Sequence, residues 1–419
     1  MNVREKTRLA RQAFRKMSLA DQDTKNNFLS NLADAIMVST DAILEANEID
    51  IQLAEKSGYS KALIDRLTLN PRRIASIAGD VRTLISLPDP NGEEFERQVL
   101  PNGLSVRKIK VPVGVLAVIY ESRPNVTIDA VSLVIKSGNC AILRGGSETI
   151  ESNKVLVSLV HAALSDSGLP PDAVQFIEDP DRAILLDLLQ LDEYIDLVIP
   201  RGGAGLHEFC RKNSRIPVIT GGIGICHLFV DESADLEKAI DVVRNAKIQR
   251  PTVCNALDTV LVHRAVAARF IPEMVDKLLQ DGVDFRVDKQ ARELLGERNE
   301  EKIKLAGPSD FDTEWLSLML GIKIVENMEE AISHISEHST GHSDGILTQN
   351  DVNATNFIRL VDSAVVYVNA STRFTDGAQL GLGAEIAVST QRIQARGPMA
   401  LRELTTYKWI IVGNYHVRL

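Results

Sequence analysis

Cysteines and aromatic residues are scarce in this sequence, positive charge is in deficit, and long apolar runs are absent. The four cysteines among 419 residues, Cys140, Cys210, Cys226 and Cys254, show no CxxC pairing and no close spacing. That usage points to a reducing cytoplasm and away from a disulfide framework, while leaving one thiol available as a nucleophile. No stretch approaches the roughly 20 uncharged apolar residues a membrane span needs. The first 22 residues alternate charged and apolar side chains and hold no apolar core of a secretory signal. No membrane association is therefore expected, and the expected compartment is the cytoplasm. Lys and Arg number 47 against 57 Asp and Glu, a net charge of −10, with no basic face or stripe visible. A nucleic-acid partner is not expected on that balance. Motif absences narrow the chemistry further: there is no GxxxxGK[ST], no GxGxxG after a strand, and no GxSxG nucleophile elbow.

What is present is an ordinary globular composition, 44% hydrophobic and 25% charged, long enough for about two or three domains. Residues 1 to about 88 predict helices: Phe28, Leu29, Leu32, Ile36 and Met37 recur at helical spacing, as do Leu63, Ile64 and Leu67. A Pro/Asn/Gly turn at 87–92 closes that block. Residues 97–110 predict two short strands around Pro101-Asn102-Gly103, a hairpin signal. From Val115 the pattern becomes strand–helix alternation. Strands are expected at 115–120, 140–144, 173–178 and 194–199, with helices at 127–137 and 149–167. A further helix should be capped by Asp179-Pro180 and run to about 191. A second alternating block follows Gly224. Its strands are expected at 226–231, 258–263, 323–327, 345–349 and 364–369, and an apolar tail stretch lies at 409–412. Such alternation implies βαβ units and a doubly wound, mostly parallel sheet, the α/β class. A tail strand of that kind often adds to another subunit's sheet.

Glycine clusters stand at successive strand ends: Arg144-Gly145-Gly146, Arg201-Gly202-Gly203-Ala204-Gly205 and Gly221-Gly222-Ile223-Gly224. Each suits a tight turn. Their backbone N–H groups, beside helix N-termini, could also cradle phosphates, and three together suit an anion of dinucleotide size. Cys254 has cations nearby at Lys247 and Arg250, which favour a thiolate; a buried small hydrophobe is the plainer reading. Cys140, Cys210 and Cys226 fall in strand and helix patterns and are expected to be core. His334, His338 and His342 are spaced i, i+4, i+8, but Ser339-Thr340-Gly341 should end the helix before the third. No carboxylate completes the set, so no metal site is expected.

Seven segments carry a family resemblance. VPVGVLAVIYESRPN (111–125) resembles the aldehyde dehydrogenase superfamily's strand leading to its oxyanion asparagine, and Cys254 falls where that superfamily keeps its nucleophile. NAKIQRPTVCNALDTVLVH, IPRGGAGLH, PVITGGIGICH, EHSTGHSDGILT, VYVNASTRFTDG and GLGAEIAVSTQRIQARGPM together resemble a particular branch of it. That branch reduces L-glutamyl 5-phosphate to L-glutamate 5-semialdehyde and phosphate for proline biosynthesis. The resemblance implies NADPH as cofactor and a thioester on Cys254, with Asn125 and the Cys254 backbone N–H serving the oxyanion. It implies cofactor contacts from Gly145, Gly202, Gly203, Gly205, Gly221, Gly222 and Glu314, the last holding the nicotinamide ribose. Arg144 is implied at the adenosine ribose, where a guanidinium suits a 2′-phosphate. Arg123 and Arg373 are candidates for the substrate's α-carboxylate or the leaving phosphate, and Arg250 for the phosphate; each suits a structural ion pair as well.

The implied subunit has three parts. A cofactor-binding domain spans 1–95 and 111–224 with a return segment near 387–401. A catalytic domain with Cys254 spans 225–386. A hairpin and tail at 96–110 and 402–419 serve oligomerisation, as a homodimer or homotetramer. Transient association with a glutamate kinase would hand over the labile substrate. Hydrolytic members of the superfamily carry a Glu before the Gly-Gly pair to activate water. Here Pro217-Val218-Ile219-Thr220 precede Gly221. That departure favours reduction over the alternative, a hydrolytic NAD(P)-dependent dehydrogenase making an acid. A catalytically silent scaffold relative is the other rival, and the presence of both Cys254 and Asn125 speaks against it.

Overall fold

The computed structural model describes residues 2–221, 223–393 and 395–418. The chain begins with helices whose starts are written in short polar caps. Asn2, Asp21, Ser60 and Asn70 accept backbone N–H groups at the heads of Val3–Met17, Gln22–Val38, Lys61–Leu67 and Pro71–Ile85. Phe28, Leu29, Leu32 and Ile36 form one buried stripe, and Met37, one position off it, is exposed. Leu67 is buried, while Leu63 and Ile64 are only partly so.

The chain packs as two units. The first runs to Thr220 and also takes in Gly381–Ala387 and the segment from Met399; the second comprises Gly221–Leu380 and Val388–Pro398. The division thus falls at 220/221, four residues before the expected point, and the hairpin and tail group with the first unit.

In the first unit the hairpin strands β1 (Glu94–Val99) and β2 (Ser105–Pro112) pair antiparallel. Four parallel strands follow: β3 (Val115–Tyr120), β4 (Cys140–Arg144), β5 (Val174–Phe176) and β6 (Leu197–Arg201), in the order β5-β4-β3-β6. The chain winds outward from β3 to β5, then returns to the other side of β3. Strand order therefore reverses between β3 and β6, and in an open parallel sheet ligands bind at the carboxyl ends beside such a reversal. Those ends are Tyr120 and Arg201, partners in register. Two expectations shift here. The fourth strand begins at Leu197 because Tyr194 and Ile195 donate to the Leu191 carbonyl and finish the preceding turn. The helix after β5 is Arg182–Leu188, capped by Asp181, because Asp179 accepts from the Asp181 N–H in a local turn of its own.

The second unit holds seven parallel strands: β7 (Cys226–Val230), β8 (Leu257–His263), β9 (Asp284–Val287), β10 (Ile303–Leu305), β11 (Met319–Val325), β12 (Ser343–Leu347) and β13 (Val365–Val368). Their order is β10-β9-β11-β8-β7-β12-β13. Leu228 and Val230 pack on one face with Phe270, Ile271 and Met274 of helix Arg264–Gln280. Phe229, between them in sequence, packs on the other face with Ile335 and Phe357. That alternation is why both faces carry helices. β9, β10 and helices Lys289–Leu295 and Asp351–Leu360 were not expected. The two strands are short, and their buried positions (Phe285, Val287, Ile303) alternate with charged ones.

Short strands β14 (Ala387–Ser389) and β15 (Gly397–Met399) lie where the chain passes between the units. The tail forms β16 (Thr405–Val412), paired along its whole length with this chain's own β2, from Thr405↔Pro112 to Val412↔Ser105. β1 and β16 are therefore the two edges of a three-stranded sheet. Tyr407, Trp409 and Ile411 are half-exposed or more on it. The Lys108 ammonium lies 4.7 Å from the ring centroids of both Tyr407 and Trp409.

Candidate active site

Cys254 sits in the loop between helix Leu236–Ile248 and β8, three residues ahead of the strand. Its neighbour Asn255 is buried and bonded on every side. The Asn255 carbonyl accepts from Thr372 Oγ1 at 2.7 Å, its amide donates to the Thr375 carbonyl at 2.8 Å, and its Oδ1 accepts from Arg373 Nη1. Arg373 Nε also donates to Gln249 Oε1 at 2.9 Å. Thr375 Oγ1 in turn bonds Ser343 Oγ at 2.6 Å and Tyr367 OH at 2.7 Å. The loop is thus riveted to the turn after β13, and a satisfied buried network of this kind fixes geometry.

The thiols divide sharply. Cys140, Cys210 and Cys226 are buried, whereas Cys254 is only partly so. Burial pushes the Cys210 thiol up to about 11 and raises Cys140 and Cys226 as well. Neutral buried thiols are poor nucleophiles, so Cys254 is the reactive candidate.

Cys226 Sγ donates to the Cys254 carbonyl at 3.3 Å. Gly224 lies so near that a Cβ there would come within 1.5 Å of the same oxygen. Glu314 Oε1 accepts the Gly224 N–H at 2.9 Å, and burial raises its carboxyl pKa. Glu314, expected at a ribose, braces the segment that backs the Cys254 loop. Of the two expected cations, Lys247 is wholly buried, donates to the Leu257 carbonyl at 2.8 Å, and stands 3.7 Å from Asp258. It is a strut of the core rather than an activator. Arg373, lowered chiefly by burial and then by the Arg250 charge, also feels Cys254. The cation that feels the thiol is thus Arg373, 119 positions away in sequence, with Arg250 near Arg373 in turn.

In the first unit, Asn125 opens helix Asn125–Lys136 and donates through Nδ2 to Asp129 Oδ2 at 2.8 Å. Arg123 lies close enough to lower the Asp129 carboxyl. Helix Ala204–Asn213 starts from Gly203 with no side-chain cap, and the Gly203 N–H meets Glu121 Oε2 at 3.3 Å. A carboxylate already sits where backbone N–H groups and the helix dipole would favour phosphate. Around Gly203 and Gly205 a Cβ would meet nothing within 4 Å. Gly202 has Glu121 Oε2 2.4 Å from its Cβ position, Gly145 has Asn153 Nδ2 at 2.4 Å, and Gly221 has the Val388 carbonyl at 2.1 Å. Those three are glycines because their own protein fills the space. Gly222 lies outside the described residues. Arg144 is 8% exposed; one amino group donates to the Pro180 carbonyl, while its buried Nε has no partner. A guanidinium with a donor to spare fits the ribose phosphate of a dinucleotide. The amides at Gly203 and beyond fit its diphosphate.

Glu121, Glu148, Asp129 and Gly224 were not singled out from the sequence as site residues. Glu148 Oε1 accepts from the N–H of Ser122, at 2.6 Å, and Ser122 has φ 58°. A carboxylate four residues after Asn125 was the one legible signal.

Of the histidines, His334 is 5% exposed and T-stacked on His227 and Phe311. Helix Met328–His338 ends at His338, and His342 opens the way into β12, so the three do not share a helix. Burial, with His227 and His338 adding, pushes His334 from 6.5 down to about 2. Its unfolded form therefore binds a proton that the folded form refuses. The stability it contributes is complete above about pH 6.5 and is lost as pH falls toward 2. His334→Phe is expected to flatten the fall in urea midpoint between pH 7.5 and 5.

The family model for the aldehyde dehydrogenase family matches residues 1–292. A gamma-glutamyl phosphate reductase of Psychromonas ingrahamii is 52% identical over 418 residues, covering 100% of both chains. The chain belongs to the gamma-glutamyl phosphate reductases, within the aldehyde dehydrogenase family. It is accordingly an oxidoreductase. The crystal structure of the Thermotoga maritima gamma-glutamyl phosphate reductase superposes with a TM-score of 0.96, at 47% identity and 99% coverage of each chain. An engineered glycolyl-CoA reductase with bound NADP+ shares the fold at TM-score 0.68 and 16% identity, covering 98% of this chain and 96% of its own. No helix among the described residues is long and apolar enough to cross a membrane.

Proposed function

We propose that this chain reduces L-glutamyl 5-phosphate to L-glutamate 5-semialdehyde and phosphate with NADPH, in proline biosynthesis. The observation that carries the reading is the state of Cys254: a thiol that is not fully buried, unlike the other three, on a loop fixed through Asn255, with Arg373 near it. The Cys254 sulfur attacks the acyl carbon, the carbon–oxygen bond to phosphate breaks, and phosphate leaves with its electron pair. A thioester remains on Cys254. The oxyanion formed on the way calls for two preorganised N–H donors, and the Cys254 backbone N–H and Asn125 amide are the proposed pair. When bound, the nicotinamide supplies the hydride that takes the acyl group to the aldehyde level. Arg123, Arg250 and Arg373 are the proposed anchors for the substrate's carboxylate and phosphate. Pro217 to Thr220 offer no carboxylate to activate water, which spares the thioester from hydrolysis.

Arg144 is the proposed ligand of the 2′-phosphate, with Gly145, Gly202, Gly203, Gly205, Gly221, Gly222 and Glu314 as the remaining cofactor contacts. Arg144→Gln is expected to raise the KM for NADP by about 10-fold or more, the size of one charge-assisted bidentate contact. The KM for NAD should change much less. Equal losses for both would remove that role.

The deciding experiment runs the reaction backward, with glutamate semialdehyde and NADP, with and without phosphate. Turnover that requires phosphate supports acyl-phosphate chemistry. Turnover that continues without it makes water the acceptor and the chain a hydrolytic dehydrogenase.

The same reading takes the cytoplasm as compartment, consistent with four free cysteines. It also takes a homodimer or homotetramer, built through the sheet whose edges are β1 and β16. An unpaired edge beside Tyr407, Trp409 and Ile411 is a surface for strand addition. A transient complex with a glutamate kinase, protecting the labile acyl phosphate, is tested by light scattering of the mixed pair.

A further inference from the structure

Helix Asn125–Lys136 is buried along Val126, Ile128, Ala130, Val131, Leu133, Val134 and Ile135, and it carries one carboxylate, Asp129. Holding a carboxylate against such a helix costs free energy unless something repays it. Its visible partner is Asn125, one turn earlier on the same face, at 2.8 Å. Burial raises the Asp129 carboxyl to about 6, Asp80 raises it further, and Arg201 and Arg123 counter both.

The chemistry of this pair is directional. An asparagine side chain ends in a donor and an acceptor of nearly equal shape, and a flip exchanges them. An ionised carboxylate only accepts, so it binds the amide nitrogen and rejects the carbonyl end. One hydrogen of that nitrogen is thereby used and the second remains free, on the same nitrogen. An oxyanion is stabilised by that second hydrogen and repelled by the oxygen that a flip would present.

We infer that Asp129 is a positioning residue that locks the Asn125 amide in its donating orientation. The inference rests on the proposed oxyanion role of Asn125. It extends that role from one residue to a pair: Asn125 meets the substrate, and Asp129 acts through it.

The test is a double-mutant cycle in the semialdehyde-oxidising direction at pH 8, with NADP and phosphate saturating. Asn125→Ala is expected to lower kcat by about 10²–10³-fold, the range for loss of one oxyanion donor. Asp129→Ala should lower kcat by roughly 10-fold, part of that same term, with KM for the semialdehyde nearly unchanged. Asp129→Asn should show a smaller loss, because an amide partner tolerates both orientations. In the Asn125→Ala enzyme neither Asp129 substitution should lower kcat further, since residues that act as a unit are not additive. Losses of the same factor in both backgrounds would overturn the inference and make Asp129 a structural helix residue. So would Asp129 variants that keep wild-type kcat. Should Asp129→Ala fail to fold, the isosteric Asp129→Asn pair reads the same comparison. If Asn125→Ala itself keeps wild-type kcat, the oxyanion reading of Asn125 falls, and this inference falls with it by a separate result.

Discussion

Cys254→Ala is expected to lower turnover by on the order of 10⁴-fold or more, the scale seen when a covalent nucleophile is removed. Binding of NADP should survive, because the side chain is only partly buried and its backbone contacts do not depend on the sulfur. The Cys254 carbonyl would still accept from Cys226 Sγ, and Asn255 would keep its bonds to Thr372 and Thr375. The measurement is kcat for phosphate-dependent NADP reduction, beside a cofactor titration by fluorescence. Retained turnover would exclude the thioester. Lost cofactor binding would mean that the variant had lost structure rather than chemistry. Alkylation offers an independent check: Cys140, Cys210 and Cys226 are buried, so one equivalent of reagent should silence the enzyme at Cys254.

Gly224→Ala should also be damaging, although the residue has no side chain to contribute. Its Cβ would stand 1.5 Å from the Cys254 carbonyl oxygen, 2.6 Å from the carbonyl carbon and 3.2 Å from Cα. Those are backbone atoms of the nucleophile, so relief requires Cys254 itself to move by more than an ångström. Displacements of that size cost roughly 10²-fold in rate, and the strain should cost about 1–3 kcal/mol of stability. The bond from the Gly224 N–H to Glu314 would be disturbed as well. Gly79, exposed in helix Pro71–Ile85 with nothing within 4 Å of its Cβ position, is the control. Gly79→Ala should leave turnover unchanged and add up to about 1 kcal/mol. A Gly224→Ala enzyme with wild-type kcat would show that the Cys254 loop is looser than its hydrogen bonds imply.

Much of the scaffold was legible in the sequence for a simple reason. VLAVIY and CAILR are apolar because strands covered on both faces must be, and they became β3 and β4 at the expected residues. The helical stripe through Phe28, Leu29, Leu32 and Ile36 was equally plain, because a period of 3.6 is written locally. β9 and β10 escaped, since they are too short to display a period and half their residues are charged or exposed; helices Lys289–Leu295 and Asp351–Leu360, each with few buried residues, escaped as well. The helix start after β5 moved by two residues because two aspartates compete there, and the local turn took the first.

The site separates along the same line. Residue type and local context alone left Cys254 open between a thiolate and a core thiol; the resemblance of 111–125 and of the segment around Cys254 to a known family singled out Cys254 and Asn125, and the sequence shows no carboxylate at 217–220. Those are one-dimensional facts. Which cations stand by the thiol was not one. Lys247, seven residues away, points into the core toward Leu257, whereas Arg373 arrives from the turn after β13. The partner of the tail strand was likewise decided by folding, which brings Thr405–Val412 onto the chain's own β2. Contacts between distant segments depend on strand order, and strand order is set by how the helices cover both faces of a sheet. The sequence by itself determined most of the long elements and offered Cys254 as the candidate thiol; the tertiary structure decided that thiol's neighbours, its exposure and the glycine that its backbone requires.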